Sequence, residues 1–434
     1  MASTTGSRVP RHVWACVASG SKRPPSAAEY EVFLSVGFLR GIHPNSVTPL
    51  LNVIRFRSVK AGERFIRQGD EGRDCCLVQR GSCRVVLETQ GQLRPLAVIR
   101  ERELVGEMAL LTGEPRSAHV EAITDMELWS ISRKDFDALI AANPVMSAFL
   151  TEIVAEKFAA RKFTADRRIG SYVITDILGK GAFAVVYDGY DARTHRSVAV
   201  KMLRHDLAMN QGFLGKFRRE ASIIAGFDHE NIVRVLDVEE RFRTLFIVME
   251  RLDGCTLRER LSHSGPFAPA EAIDVLVQSC RALAYAHERS IVHQDVHPGN
   301  LFLLSGGRVK LVDFGLAVPC GSSGSLTGTP YYMSPEQIEC RSVDGRTDVY
   351  SLGLTAYEMV CGRRPYPDAD AFRAMTLHLE NDIPDPAATV PDLPTPLRDF
   401  IVNACRRDPG ARYASARDAL KAIGAGSHRL GIAQ

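Results

Sequence analysis

The run Gly179-Lys180-Gly181-Ala182-Phe183-Ala184-Val185-Val186 lies between two apolar stretches of strand character. A glycine-rich turn in that setting lets backbone N–H groups approach a triphosphate. Downstream, Val198-Ala199-Val200-Lys201 places an ammonium at a strand end, and Glu220 follows in helical text. A buried Lys needs a carboxylate, so Lys201 and Glu220 support one another, either around a phosphate or as an ordinary structural ion pair. Farther on the chain reads His293-Gln294-Asp295-Val296-His297-Pro298-Gly299-Asn300 and then Asp313-Phe314-Gly315. A separate group of charged residues, Glu107 and Arg116, flanks a short run with helical character near the N-terminus.

The elements around these residues fall into two blocks. From Val53 to Ile131 short β-rich runs alternate with glycine-bearing turns at Gly62, Gly69, Gly72, Gly81 and Gly91, which predicts a small antiparallel barrel or roll. Helical text follows from Lys134 to Phe163, interrupted at Pro144. From Tyr172 a second strand-rich block leads into the helix carrying Glu220, two more strand runs and a mainly helical remainder. A five-stranded lobe followed by a helical lobe is the expected assembly.

The order of glycine loop, Val-Ala-Val-Lys, His-x-Asp with a downstream Asn, Asp-Phe-Gly and Ser334-Pro335-Glu336 resembles the protein kinase superfamily. That resemblance implies ATP between two lobes. Asp295 would orient the incoming hydroxyl, Asn300 and Asp313 would coordinate two Mg²⁺ ions, and Lys201 would hold the α- and β-phosphates. Gly179, Gly181, Val186 and Glu220 would complete the nucleotide site. Met249 resembles the gatekeeper, with the backbone of Glu250 to Leu252 bonding the adenine. Gly328-Thr329-Pro330-Tyr331-Tyr332-Met333-Ser334-Pro335-Glu336 resembles the substrate-binding loop of serine/threonine kinases, with Ser334 in place of the usual Ala. Asp348 and Arg412 resemble anchors of the helical lobe, Arg412 placed to pair with Glu336.

Three departures bear on activity. Gln294 stands where these kinases carry an Arg that pairs with a phosphorylated loop, so modification of Ser325 or Thr327 is not expected to be the main switch. His297 stands where a Lys touches the γ-phosphate. Gly299 replaces an acidic residue that some basophilic kinases carry. The Asp-x-His-Pro-Gly-Asn arrangement also resembles small-molecule phosphotransferases, which lack the substrate-binding loop. An active protein kinase, a nucleotide-sensing pseudokinase and a small-molecule kinase are therefore the three readings.

Val105-Gly106-Glu107-Met108-Ala109-Leu110-Leu111, followed by Gly113-Glu114-Pro115-Arg116-Ser117-Ala118, resembles the phosphate-binding cassette of cyclic nucleotide-binding domains. Arg116 would meet the cyclic phosphate, Glu107 the ribose 2′-OH, and backbone N–H groups near Gly106 the remaining anion charge. Ser117 and Ala118 complete the set. Ser117 is compatible with cAMP or cGMP.

The chain of 434 residues is 45% hydrophobic and 24% charged with a net charge of +3, an ordinary globular balance with no field for nucleic acid. Ten cysteines without a CxxC fit a reducing, cytoplasmic setting. No apolar run is long enough for a membrane span. The expected architecture is multidomain: a leader at 1–28, a β-roll cyclic nucleotide-binding domain with flanking helices at 29–165, an α+β two-lobed kinase fold at 171–425 and a tail at 426–434. The expected function is a serine/threonine kinase that uses ATP and Mg²⁺ on a protein substrate, controlled by cAMP or cGMP through the helix Pro144 to Phe163.

Overall fold

The structure, a computed structural model, describes residues 53–89, 91–107, 115–142, 168–181, 184–208, 215, 218, 221–222, 224–241, 244–315, 317–323, 326 and 328–429. The expected leader, the helix Pro144 to Phe163, Glu220, and the loop hydroxyls of Ser325 and Thr327 lie outside these residues. Two compact units divide the chain, one drawn from residues 1–214 and 239–246, the other from 215–238 and 247–434.

The first unit opens with β1 (Arg55–Val59), β2 (Arg64–Ile66), β3 (Asp74–Arg80), β4 (Cys83–Thr89), β5 (Gln92–Ile99), β6 (Leu104–Val105), β7 (His119–Ala122) and β8 (Met126–Ser132). They form two four-stranded antiparallel sheets, ordered β1-β8-β3-β6 and β2-β7-β4-β5. Alternation drives this arrangement: Cys76 and Val78, Val120 and Ala122, Met126 and Leu128 all turn one way and bury in a common core with Val59, Cys83 and Val105. Strand β5 carries Pro95, which lacks an N–H. It is tolerated because β5 is an edge strand and its pairing slips between Val85 and Val86. Helix α1 (Arg133–Ala142) follows at once.

The second strand group of this chain is one sheet in the order β13-β14-β12-β11-β10-β9. Its members are β9 (Arg168–Ile169), β10 (Tyr172–Lys180), β11 (Ala184–Asp191), β12 (Ser197–Leu203), β13 (Val235–Arg241) and β14 (Thr244–Glu250). The sequence led us to expect five strands beginning near Tyr172; the sixth is β9, whose Ile169 and Arg168 pair with Tyr172 and Val173. Ile169 is fully buried, so the sheet begins before the expected boundary at 171. Two residues are too few to show a strand period, and the sequence pattern passes over them.

In the second unit, β15 (Gly254–Thr256), β17 (Leu301–Leu304) and β18 (Val309–Leu311) form a small sheet, and β16 (Ile291–Val292) pairs with β19 (Val318–Pro319). The helices are α2 (Leu257–Ser264), α3 (Pro269–His287), α4 (Pro335–Ile338), α5 (Gly345–Cys361), α6 (Ala371–Glu380), α7 (Thr395–Ala404) and α8 (Ala416–Arg429). Helix α5 is apolar nearly all round and almost wholly buried, with Val349, Leu352 and Leu354 at its heart. Asp344 caps its start and Gly362, at φ 68°, ends it. Helix α8 continues through Arg429, past the expected domain end at 425. Ala416, Ala419 and Ile423 bury one face, and no Pro or β-branched run interrupts the turns after it. No described helix is long and apolar enough to cross a membrane. The described cysteines are free thiols, and burial pushes Cys76, Cys83 and Cys280 up to about 12.

Candidate active site

The loop between β16 and β17 carries the catalytic candidates, and a buried carboxylate shapes it. Asp348 of α5 is fully buried and accepts from the backbone N–H of His293 and of Gln294, each at 2.8 Å, and lies 2.8 Å from His287 Nε2. These bonds hold Gln294 at φ 66°, a left-handed conformation a non-glycine residue adopts only under tertiary constraint. Gln337 adds a second tie: its Nε2 donates to the Gln294 carbonyl at 2.8 Å. Gln337 is itself fixed by a capping box with Ser334, whose hydroxyl supplies a cap that an Ala at this position lacks. The Gln294 side chain is buried, and neither atom of its carboxamide has a hydrogen-bond partner among the described residues.

The chain then turns so that Asp295 meets three neighbours. Asn300 Nδ2 donates to the Asp295 carbonyl at 2.9 Å and to its carboxylate at 3.2 Å. The Thr329 N–H donates to Oδ1 at 2.9 Å, and His297 Nε2 lies 3.5 Å from Oδ2. Burial raises the Asp295 carboxyl, but His297, the Thr329 amide and His293 outweigh it and hold it down at about 2. Asp295 is therefore a carboxylate at any physiological pH, suited to orienting a hydroxyl and accepting its hydrogen bond. The Gly299 N–H donates to His297 Nδ1 at 2.9 Å, which in the neutral ring puts the proton on Nε2, facing Asp295. A Cβ at Gly299 would stand 2.7 Å from His297 Cε1; a bare backbone at 299 and an imidazole at 297 are one solution.

Pairing of Leu301 with Leu311, extended by the Val312 N–H donating to the Asn300 carbonyl at 2.9 Å, brings Asn300 beside Asp313. Asp313 has φ 57°, and its Oδ1 accepts from the Gly315 N–H at 3.1 Å. Because Asn300 spends its Nδ2 on Asp295, its Oδ1 is the atom left to face a cation. Among the described residues no group of three or more His, Cys, Asp and Glu is placed to hold a metal alone. Asn300 and Asp313 fit Mg²⁺, which takes one or two protein donors and completes its shell with phosphate oxygens and water. Phe314 packs edge-on to His293 at 4.6 Å and Phe227 at 5.6 Å, so the Asp313 backbone is pinned by core contacts.

The segment after Thr329 is tied down just as firmly. His378 of α6 is nearly fully buried, with Nε2 3.2 Å from the Tyr331 carbonyl and Nδ1 3.0 Å from the Tyr350 hydroxyl. Burial lowers it to about 4. The unfolded imidazole takes its proton near 6.5, so the stability that His378 contributes is complete above that pH and is lost as pH falls toward 4. Urea unfolding at pH 7 and pH 5 should show a loss of roughly 1–2 kcal/mol that His378→Asn largely removes. Equal losses in both proteins would dismiss His378 as the source.

The nucleotide candidates in the first unit lie on adjacent strands. Gly179 and Lys201 both pair with Val186, which places the three in a row across β10, β11 and β12. Gly181 lies in the turn, its N–H donating to the Ala184 carbonyl at 2.8 Å. In the second unit, the Glu250 N–H donates to the Arg234 carbonyl at 3.0 Å and the Glu250 carboxylate holds Lys310 at 2.6 Å. The Glu250 amide is thus already used, a point the sequence did not reveal.

In the β-roll, Gly106 at φ 82° passes so close to Arg116 that a Cβ would stand 2.5 Å from Nη1. Arg116 is buried, with Nη1 donating to the Gly106 carbonyl at 2.5 Å and Nη2 to the carbonyl and carboxylate of Asp74, both at 2.6 Å. Glu107 and Ala118 are buried and Ser117 is exposed. Asp74 was missed by the sequence reading; its carboxylate and carbonyl hold the Arg116 guanidinium in place.

Residues 172–422 match the protein kinase domain family, and residues 56–143 match the cyclic nucleotide-binding domain family. The serine/threonine-protein kinase PrkC of Bacillus subtilis is 35% identical over 254 residues, 57% of this chain and 39% of that protein. Serine/threonine-protein kinase PknB of Mycobacterium tuberculosis is 38% identical over 258 residues, 57% of this chain and 41% of its own. The chain thus spans about two fifths of the length of these curated relatives. The crystal structure of the Mycobacterium tuberculosis PknI kinase domain superposes with a TM-score of 0.50 at 28% identity, covering 60% of this chain and 97% of that one.

Proposed function

Because the chain belongs to the protein kinase family, we propose that it transfers the γ-phosphate of ATP to serine or threonine hydroxyls of proteins, in the cytoplasm, under control of a cyclic nucleotide. The observation that carries the reading of transfer is the meeting of Asn300, His297 and the Thr329 amide around the Asp295 carboxylate. In this mechanism Asp295 accepts the hydrogen bond of the acceptor hydroxyl and aligns its lone pair. His297 donates to Asp295 from Nε2 and fixes the rotamer of that carboxylate. Lys201 would hold phosphate oxygens, with Glu220 as its partner, while Gly179, Gly181 and Val186 would cover the nucleotide and Glu250 and Leu252 would bond the adenine. Mg²⁺, held by Asn300 and Asp313, would supply neutralisation of charge on the phosphates.

The readings of a pseudokinase and of a small-molecule kinase are separated from this one by a single assay. Incubation with MgATP, alone and with a generic protein, should label Ser and Thr in the wild type and not in Asp313→Asn. ATP binding without transfer would point to the pseudokinase.

For the sensor, Arg116 would meet the cyclic phosphate and Glu107 the ribose, with Gly106, Ser117 and Ala118 lining the anion site, in a domain proposed to run over 29–165 ahead of a kinase domain at about 171–425. A ligand changes activity only through differential affinity for two states, and a hundredfold shift needs about 2.7 kcal/mol. Arg116→Ala should abolish binding of cAMP or cGMP and make activity indifferent to either. Binding lost while the response to nucleotide persists would remove Arg116 from the control path.

A further inference from the structure

Two guanidiniums beside the catalytic loop have no carboxylate partner among the described residues. Arg258, exposed on α2, places Nη2 3.5 Å from His297 Nδ1 and its guanidinium 5.9 Å from the Tyr332 ring. Arg364, shortly after α5, stacks 3.7 Å over the Tyr331 ring. Neither has an acidic side chain within ion-pair distance among the described residues, whereas neighbouring Arg260 of α2 is paired with Glu271 at 3.1 Å. The Glu358 carboxylate of α5 accepts from the Tyr332 hydroxyl. Position 299 contributes no charge, and a side chain there would strike the His297 ring.

The acceptor hydroxyl must arrive at Asp295. The Thr329 amide bonds that same carboxylate, so residues Thr329 to Tyr332 border the path of the acceptor chain. His297 spans the gap between Asp295 and Arg258, at 3.5 Å from each. An extended chain advances about 3.3 Å per residue, so a side chain two or three positions from the hydroxyl passes these guanidiniums. We propose that Arg258 and Arg364 select acceptor segments carrying Asp, Glu or a phosphorylated residue within about three positions of the target hydroxyl. Guanidinium pairs with carboxylate and phosphate through parallel N–H bonds, and a basic side chain there meets like charge. This inference rests on the phosphotransfer reading above.

The test uses the full chain, MgATP and a set of alanine-rich peptides with one Ser or Thr. Glu, Arg or Ala occupies each of the three positions on either side. Glu should raise kcat/KM about three- to tenfold over Ala at one or two positions, chiefly through KM, and Arg should lower it. The preference should shrink in 0.5 M salt. Arg258→Glu and Arg364→Glu should invert it, while Arg258→Lys and Arg364→Lys, which keep the charge, should retain part of it. Equal kcat/KM for Glu, Ala and Arg peptides, or an undiminished Glu preference in both charge-reversed proteins, would overturn the selection by these residues while leaving the kinase reading intact. No label in any peptide or in the chain itself would overturn the phosphotransfer reading, and this inference with it.

Discussion

Asp295→Asn is expected to lower kcat for phosphate transfer by about a thousandfold while leaving KM for ATP little changed. The amide can still accept the Thr329 N–H, and the backbone ties of the loop run through Asp348 and Gln337 instead of through residue 295. What the substitution removes is the negative charge. A carboxyl held at about 2 is a weak proton acceptor, so its work is alignment and charge stabilisation as the hydroxyl becomes a phosphoester oxygen. It follows that Asp295 gives no acid limb to the pH–rate profile at ordinary pH. Its contribution to stability is present above the unfolded carboxylate value near 3.9 and disappears only as pH falls through about 2. A mutant within tenfold of wild type would take Asp295 out of the transfer step and favour a scaffold role for the loop. Single-turnover and steady-state rates together separate this from a change in product release.

The residues of this loop were legible because they are close in sequence and each has a distinct ligand chemistry. The restraints that shape them were not. Asp348 reaches Gln294 across 54 residues, Arg258 reaches His297 across 39, and Arg116 reaches Asp74 across 42. No local period encodes such pairings; they exist only after the helices and sheets have packed. Asp348 was named through a resemblance, with no hint of the two amides it would hold. Asp74 precedes an apolar run and reads as an ordinary exposed strand residue. Strand β9 was hidden by its shortness, and β5 ran farther than its apolar pattern because an edge strand tolerates Pro95 and exposed Leu93. The β-roll, by contrast, was visible in its short β-rich runs and in the glycines between them, though not its division into two sheets.

The pairing of Arg412 with Glu336, 76 residues apart, carries the largest expected effect on stability. The Arg412 side chain has 0% exposure and the Glu336 side chain 4%; Nη1 and Nη2 lie 2.8 and 2.9 Å from the two carboxylate oxygens. Thr347 Oγ1 donates to Glu336 at 2.8 Å, and Arg412 also donates to the carbonyls of Arg346, Arg406 and Arg407. Burial pushes the Glu336 carboxyl up, but the Arg412 bond and charge outweigh it and keep it below its usual range. The pair therefore adds stability above the unfolded value near 4.3, and that contribution fades as pH falls below it. Removing one partner leaves the other charge buried without compensation, so Arg412→Met should destabilise by about 3–5 kcal/mol. Glu336→Leu combined with Arg412→Met should recover most of that loss, because two apolar chains of similar volume avoid the desolvation cost altogether. Denaturant unfolding of both variants reads this directly. A double mutant as unstable as Arg412→Met alone would mean that the carbonyl bonds of Arg412, and not its charge pair, hold α4 in place. Since α4 also carries Gln337, whose amide supports the Gln294 turn, any displacement of that helix should lower kcat as well as stability, and the double mutant should restore the two together.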